Sequence, residues 1–361
     1  MNRAEFDLDQ LLRIAGEYQG YKINIVDLRR FLALLLDEQP IDLWDYTRKS
    51  DLYIRTILSL LYALEREKFL YIDGAGMMSL AQRGGSLADF LGIRKTAKPF
   101  IEKKQWYGWE LTPEYKEILE IIKELYKRVN PQYQYDQAPL VPEAAVYKVA
   151  YGIEKGDFTG KDVVCIGDDD LTSVILALSG VPGNVLALDI DKYLLETIEE
   201  YSEKNRLRID TREHDLCKPV PENLKGRFDV FITEPPDTVT GISLFVSRGV
   251  ELLKESPGMI GYCGISLIAC PPQGLLEIQK NLTNMGLLIT DRIPKYSDYP
   301  PHRTELKHVE VPDCYDDFYP PEKVWYVSDL VRVKTTIGAK RMFEIFDGDI
   351  ADYNSDAERF A

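Results

Sequence analysis

The feature that most constrains the fold is an apolar run that ends in a glycine and three acids. The run is Val163–Ile166, and the sequence GDDD follows it at 167–170. The next stretch, Leu171–Ser179, is apolar and compatible with a helix. A buried strand, a glycine turn and a helix form the opening unit of a doubly wound α/β sheet, in which the N-terminus of the helix faces a nucleotide.

Carboxylates stand where glycines usually complete this turn, and they make the mouth of the predicted site anionic. Such a mouth favours a ligand with a cationic arm and opposes one that ends in a carboxylate or a phosphate. Alternatively, Asp168, Asp169 and Asp170 are acids that cap the following helix and interact with its dipole. Three acids next to a glycine at a strand end favour ligand binding.

After residue 141 the chain alternates predicted strands and helices, as a doubly wound sheet requires. Strands are predicted at 162–166, 184–188, 207–213, 228–233, 258–264, 287–293 and 324–334, and helices at 171–180, 192–205 and about 272–285. Ligands bind at the carboxyl edge of such a sheet. Strand ends supply four acid groups to that edge, namely Gly167 to Asp170, Asp189 with Asp191, Asp215, and Glu234 with Asp237.

Charge and composition narrow the classes of function. The 361 residues include 59 acidic and 44 basic side chains, which gives a formal net charge of −15. This balance argues against a non-specific nucleic-acid binder and suits a polycationic substrate. The five cysteines form no CxxC pair and there are only three histidines, so neither a disulfide framework nor a metal site is predicted. We recognise no signal segment or membrane-length apolar run and expect a cytoplasmic protein.

Residues 1–85 are predicted to form a small helical domain with a hairpin. Apolar periodicity begins near Leu11, at Val26 and at Ser50, and a strand, a glycine turn and a strand follow at 69–80. Three helices and a wing resemble a winged helix-turn-helix. The third helix, predicted at 50–67, carries three acidic and two basic side chains, which is not the basic stripe of a DNA reader. We therefore expect dimerisation or scaffolding rather than DNA binding.

Residues 86–140 are predicted to be a helical connector, and residues 141–361 the catalytic domain with a C-terminal extension. The segment Tyr133–Pro139, which contains Gln137, combines aromatic and amide side chains just before the catalytic domain. It is either a lid over the ligand or a plain linker.

These motifs resemble the class I S-adenosylmethionine fold, and within it the aminopropyltransferases. More closely, the sequence resembles the branched-chain polyamine synthases, which make N4-bis(aminopropyl)spermidine and carry a GDDD turn and an acid-flanked Pro-Pro motif. Here the Pro-Pro motif is Glu234-Pro235-Pro236-Asp237. The resemblance spans roughly residues 130–340 and extends to the N-terminal domain. It implies a Rossmann-like, class I methyltransferase-type doubly wound sheet with a winged-helix-like domain before it.

The resemblance also implies ligands and residue roles. Decarboxylated S-adenosylmethionine is the implied co-substrate, with no prosthetic group and no metal, and the implied partners are a polyamine and a second copy of the chain. Asp189 would hold the ribose, Asp215 the adenine amino group, and Asp170 the aminopropyl ammonium. Asp237 would handle the attacking amine. The donor set is Gln137, Gly167, Asp168, Asp170, Asp189, Asp191 and Asp215; the acceptor set is Asp169, Glu234, Pro235, Pro236 and Asp237; the catalytic set is Asp169, Asp170 and Asp237.

The chemistry suits the acids independently of the resemblance. The carboxylate of S-adenosylmethionine would be repelled by the GDDD turn, whereas the ammonium of its decarboxylated form would be attracted. A branched product requires the internal amine of the acceptor to face the sulfonium, so acids must hold both arms. Candidates are Glu234, Asp237 and the tract Asp313, Asp316 and Asp317, although the tract is also explained as a solvated loop.

Two rival functions remain open. An S-adenosylmethionine-dependent amino-methyltransferase would use a similar Pro-Pro motif, but base-modifying enzymes need an aromatic residue where this chain has Asp237. A regulator that senses polyamines through the α/β domain and binds DNA through the N-terminal domain is the second rival.

Overall fold

The N-terminal part of the chain is helical with one hairpin. In the computed structural model, which describes residues 6–95, 105–301, 310–315 and 321–360, this part contains α1 (Leu8–Gln19), α2 (Ile25–Glu38), α3 (Leu43–Lys49), α4 (Ile54–Arg66), β1 (Leu70–Ile72), β2 (Met78–Leu80) and α5 (Gln82–Phe90). β1 and β2 pair antiparallel, and Ile41 adds a bridge to Met78. The predicted hairpin is confirmed. The sequence missed α3, because seven residues are too few to establish a helical period. The winged-helix assignment stays a prediction.

The helix α4, which corresponds to the predicted third helix at 50–67, is packed inside the protein. Nine of the 13 residues of α4 are buried. The Ile54 amide at its start donates to the Ile268 carbonyl at 3.0 Å, and Arg55 Nη2 donates to Asn354 Oδ1 at 2.8 Å. The N-terminal part is therefore docked on the rest of the chain through this helix.

The central sheet is the predicted doubly wound sheet. After α6 (Pro113–Tyr126) and α7 (Pro142–Glu154), the chain forms β3 (Asp162–Ile166), α8 (Thr172–Ser179), β4 (Asn184–Asp189), α9 (Lys192–Asn205), β5 (Ile209–Glu213), β6 (Val230–Thr233), α10 (Val239–Leu252), β7 (Ile260–Ile265), α11 (Pro272–Asn284), β8 (Leu287–Asp298), β9 (Val327–Thr335) and α12 (Tyr353–Phe360). The strand order is β5-β4-β3-β6-β7-β9-β8. β3 to β7 pair in parallel, whereas β9 runs antiparallel to β7 and β8.

Alternate residues of β3 face two separate cores, as the pleat of a strand requires. Val163 and Cys165 belong to a core shared with the N-terminal part and α7, while Val164 and Ile166 belong to one shared with α10.

The sequence did not predict α10. Thirteen of its 14 residues are buried, so it has no polar face that would show a helical period. Among the described helices, none is long and apolar enough to cross a membrane.

The packing of α10 on the sheet predicts a stability effect. A Cβ atom on Gly249 would lie 2.6 Å from the ring of Phe231, which is fully buried under this helix. Gly249→Ala should therefore lower the free energy of unfolding by about 1–3 kcal/mol through overpacking. Gly85→Ala in α5 is the control, since its Cβ would meet nothing within 4 Å and alanine favours a helix by about 0.5–1 kcal/mol. Denaturant unfolding that shows equal effects would contradict this packing argument.

Candidate active site

A cavity of about 420 Å³ lies at the carboxyl ends of four adjacent parallel strands. It is lined by Gly167 and Asp169 after β3, by Asp189 and Ile190 after β4, by His214, Asp215, Leu216 and Cys217 after β5, by Glu234 and Pro236 after β6, by Phe245 of α10, and by residues 134–137 and 349–351. Three strand spacings of about 4.8 Å separate β5 from β6, so the site extends across roughly 14 Å. Acids that follow four strands of the sheet thus meet at one edge, as the sequence predicted; that a ligand binds there stays a prediction.

Asp168 is turned into the protein. Its side chain is fully buried, Oδ1 accepts a hydrogen bond from the Ser173 amide at 3.0 Å, and Oδ2 has no hydrogen-bond partner among the described residues. Burial, and then the nearby charge of Asp170, raise the pKa of Asp168 to about 8. This acid does not line the cavity, so the structure does not bring it to the predicted donor site.

Asp170 is also committed to the protein itself. One oxygen accepts hydrogen bonds from the Thr172 hydroxyl at 2.7 Å and the Thr172 amide at 3.2 Å. The other oxygen pairs with Lys148 Nζ at 2.5 Å. Because Asp168 and Asp170 both bond amides in the first turn of α8, the helix-capping alternative describes these two acids. Neither acid lines the cavity, although the resemblance implied that both contact the donor.

Asp169 differs from its two neighbours. It lines the cavity, it is 8% exposed, and its carboxyl group has no hydrogen-bond partner among the described residues. Burial raises its pKa well above the usual range, and the charges of Asp170 and Asp189 add to the shift. A cation that enters the cavity would favour the ionised form of this group.

Glu234 lines the cavity beside a lysine that the sequence analysis missed. Glu234 Oε1 lies 3.2 Å from Lys148 Nζ, and Oε2 accepts a hydrogen bond from the Tyr299 hydroxyl at 3.0 Å. Burial raises the pKa of Glu234, while Lys148 opposes the rise. The signal for Lys148 was a single charge in the otherwise apolar stretch AAVYKVA at 144–150.

Asp237 lies at the same strand end but outside the cavity lining. Its oxygens accept hydrogen bonds from the Tyr326 hydroxyl at 2.6 Å and the Ser266 amide at 3.1 Å. Burial raises its pKa to about 7, against the lowering effect of these bonds. The Asp237 amide donates to the Tyr353 hydroxyl at 3.3 Å, and that hydroxyl donates to Asp136 at 2.8 Å.

The acids after β4 and β5 form the other end of the site. Asp189 lines the cavity, and its two oxygens accept the amides of Asp168 and Asp191, each at 2.8 Å. Asp191 instead caps α9 by accepting the Tyr193 amide at 2.9 Å and is not part of the lining. Asp215 lines the cavity; hydrogen bonds from the Cys217 amide and Lys218 outweigh its partial burial and lower its pKa.

The remaining candidates divide between the wall and the surroundings. Gln137 lines the cavity and accepts the Gln132 amide at 2.7 Å, so its segment is part of the wall; movement as a lid stays a prediction. Pro235 is buried outside the lining, and Asp313 is exposed near Tyr18. Asp316 and Asp317 lie outside the described residues. Within the described ranges, no group of three or more potential metal ligands occurs.

Comparison with known proteins places the chain among polyamine synthases. Residues 115–358 match the family model of the branched-chain polyamine synthase A C-terminal domain. An N(4)-bis(aminopropyl)spermidine synthase of Thermococcus kodakarensis is 33% identical over 83% of this chain and 85% of its own length. An uncharacterized protein of Methanocaldococcus jannaschii is 35% identical over 74% and 68%.

The fold has a solved counterpart. The branched-chain polyamine synthase of Thermus thermophilus, crystallised with N4-aminopropylspermidine and 5'-methylthioadenosine, superposes with a TM-score of 0.76. The match covers 96% of this chain and 98% of that chain at 24% identity. It confirms the predicted α/β fold.

The buried acid Asp168 predicts a pH-dependent stability. Its pKa is about 8 in the folded protein against 3.8 for the free side chain, so folding favours its protonated form. This stabilising contribution is fully present below about pH 3.8 and is lost as the pH rises through about 8. Asp168→Asn, which keeps the acceptor for Ser173, should raise the unfolding temperature at pH 9 and matter little near pH 4. Thermal unfolding at several pH values measures this, and a variant less stable than the parent at every pH would contradict it.

Proposed function

The chain belongs to the branched-chain polyamine synthase family, and from this premise we propose that it is an aminopropyltransferase. It transfers aminopropyl groups from decarboxylated S-adenosylmethionine to the internal nitrogen of spermidine and releases methylthioadenosine. The observation that carries the proposal is Asp169, a buried carboxyl without a hydrogen-bond partner among the described residues, on the wall of an acid-lined cavity.

The cavity suits a nucleoside with a cationic arm. Asp189 and Asp215 stand at the β4 and β5 ends, where ribose and base are bound in open α/β sheets. Asp169 and Glu234 stand on the β3 and β6 side. A donor that lies along this line would place its nucleoside over the first pair and its ammonium arm near the second. Asp191, which caps a helix, has no direct part in this proposal.

The reaction is a nucleophilic displacement. The nitrogen of the acceptor forms a bond to the carbon next to the sulfonium, the carbon–sulfur bond breaks, and its electrons neutralise the sulfur of methylthioadenosine. A free alkylamine has a pKa of about 10.4, so the acceptor must lose a proton before or during attack. A carboxylate within reach of the nitrogen provides the acceptor for that proton.

We assign this contact with the amine to Asp169. Asp237 was the expected residue, and its pKa of about 7 is suited to proton exchange near neutrality. Both Asp237 oxygens, however, already accept hydrogen bonds from Tyr326 and Ser266, and the residue does not line the cavity. Asp237 then acts behind the wall, where it orders Tyr326 and the turn at Ser266.

The rival functions have less support. Asp169 would repel the carboxylate of S-adenosylmethionine, which a methyltransferase must bind. Because α4 is largely buried, little of its surface is exposed to enter a DNA groove, which counts against a DNA-binding regulator. A cytoplasmic location and a homodimer, both expected from the sequence, remain predictions.

The reaction is tested by incubating the protein with decarboxylated S-adenosylmethionine and spermidine and fragmenting the products by mass spectrometry. We expect aminopropyl groups on the internal nitrogen, together with methylthioadenosine. S-Adenosylmethionine should bind at least tenfold more weakly than its decarboxylated form, a difference of about 1.4 kcal/mol or more. Aminopropyl groups found only on terminal nitrogens would leave the transferase assignment intact but exclude branching. Methyl transfer would overturn both.

The assignment of Asp169 is tested by comparing two amides in one assay. Asp169→Asn should lower kcat by about a hundredfold or more, because the amine loses its carboxylate, while methylthioadenosine binds nearly as before. Asp237→Asn should lower kcat less. Glu199→Gln, an exposed change on α9, is the control and should leave kcat unchanged. If the Asp237 variant is the more impaired, the proton acceptor is Asp237.

A further inference from the structure

Lys148 is a buried cation in a site built for cations. Its side chain is 2% exposed, and its ammonium contacts Asp170 at 2.5 Å and Glu234 at 3.2 Å. It comes from α7, outside the strand ends that supply the acids, and it joins the turn after β3 to the end of β6. A lysine buried this deeply normally loses its proton, but two carboxylates keep it charged and raise its pKa despite burial.

The partners of Lys148 face different surroundings. One oxygen of Asp170 accepts hydrogen bonds from Thr172, so removal of Lys148 would leave only the other oxygen without its partner. Glu234 lines the cavity and keeps only Tyr299 on its second oxygen. Without Lys148, Glu234 would present an uncompensated carboxylate to any amine that enters.

We propose that Lys148 is a positioning residue that occupies the place of a substrate ammonium group. By neutralising Glu234, the one of its two partners that lines the cavity, it keeps the entering amine at Asp169 instead of letting it move on to Glu234. The inference rests on the proposed function and adds a determinant of how many positive charges the cavity accepts. A lysine that served only to hold the fold would not have this effect on the substrate.

The role of the Lys148 charge can be tested with Lys148→Met, which keeps most of the length of the side chain and removes the ammonium group. We expect kcat for spermidine to fall at least tenfold, while KM for spermidine stays equal or falls, because the freed Glu234 carboxylate binds the amine in a non-productive position. Affinity for methylthioadenosine should be unchanged. A rise in KM with unchanged kcat would overturn the proposal.

Chemical rescue of Lys148→Ala tests whether an ammonium group is what this position requires. Ethylammonium or propylammonium should restore kcat at least fivefold, whereas propanol and tetramethylammonium at equal ionic strength should not. Lys155→Ala is the matched control at the C-cap of the same helix, since Lys155 is exposed and pairs with Asp291 at 2.7 Å. This variant should show nearly unchanged kcat and no rescue.

Thermal unfolding separates failure of this inference from failure of the proposed function. Propylammonium should raise the unfolding temperature of Lys148→Ala and leave the parent and Lys155→Ala unaffected, whether or not any of them turns over spermidine. If neither stability nor kcat of the alanine variant responds to an alkylammonium ion, the inference is wrong. Should the alanine variant fail to fold, the kinetic split of Lys148→Met decides alone.

Discussion

Crowding of carboxylates at one edge of a parallel sheet is the constraint on which the rest of the site depends. Removing a charged group from water is costly unless it is paired or hydrogen-bonded. The protein answers this cost differently for each acid: Asp170 is paired with Lys148, Asp189 accepts two backbone amides, and Asp168 has a raised pKa. The pKa of Asp169 is raised as well, but its carboxyl group has no hydrogen-bond partner among the described residues, and a ligand can supply one.

The parallel order of the strands determines which acids can meet. β5, β4, β3 and β6 are neighbours, so turns that are far apart in sequence open into one cavity. In the proposed binding mode, the nucleoside lies at the β4 and β5 ends and the amine at the β3 and β6 ends. Chemistry and recognition thus depend on the same pairing of strands.

The sequence predicted the sheet edge well, because a strand followed by acids is a local pattern and parallel strands align their ends. It could not distinguish Asp169 from Asp168 and Asp170, since that depends on which way each side chain leaves the turn at Gly167. Lys148 and α10 were missed for a related reason. Each is surrounded by apolar neighbours in sequence, and only its tertiary contacts show its place in the structure.

The wall of the cavity also depends on chain that follows the last strand of the sheet. Residues 349–351 line it, the Thr238 hydroxyl donates to the Ile350 carbonyl at 2.5 Å, and Tyr353 joins Asp136 to the Asp237 amide. The strands and the acids that follow them are therefore complete by residue 335, so that cutting the chain after the sheet would leave the acids in place but take away part of the wall around them.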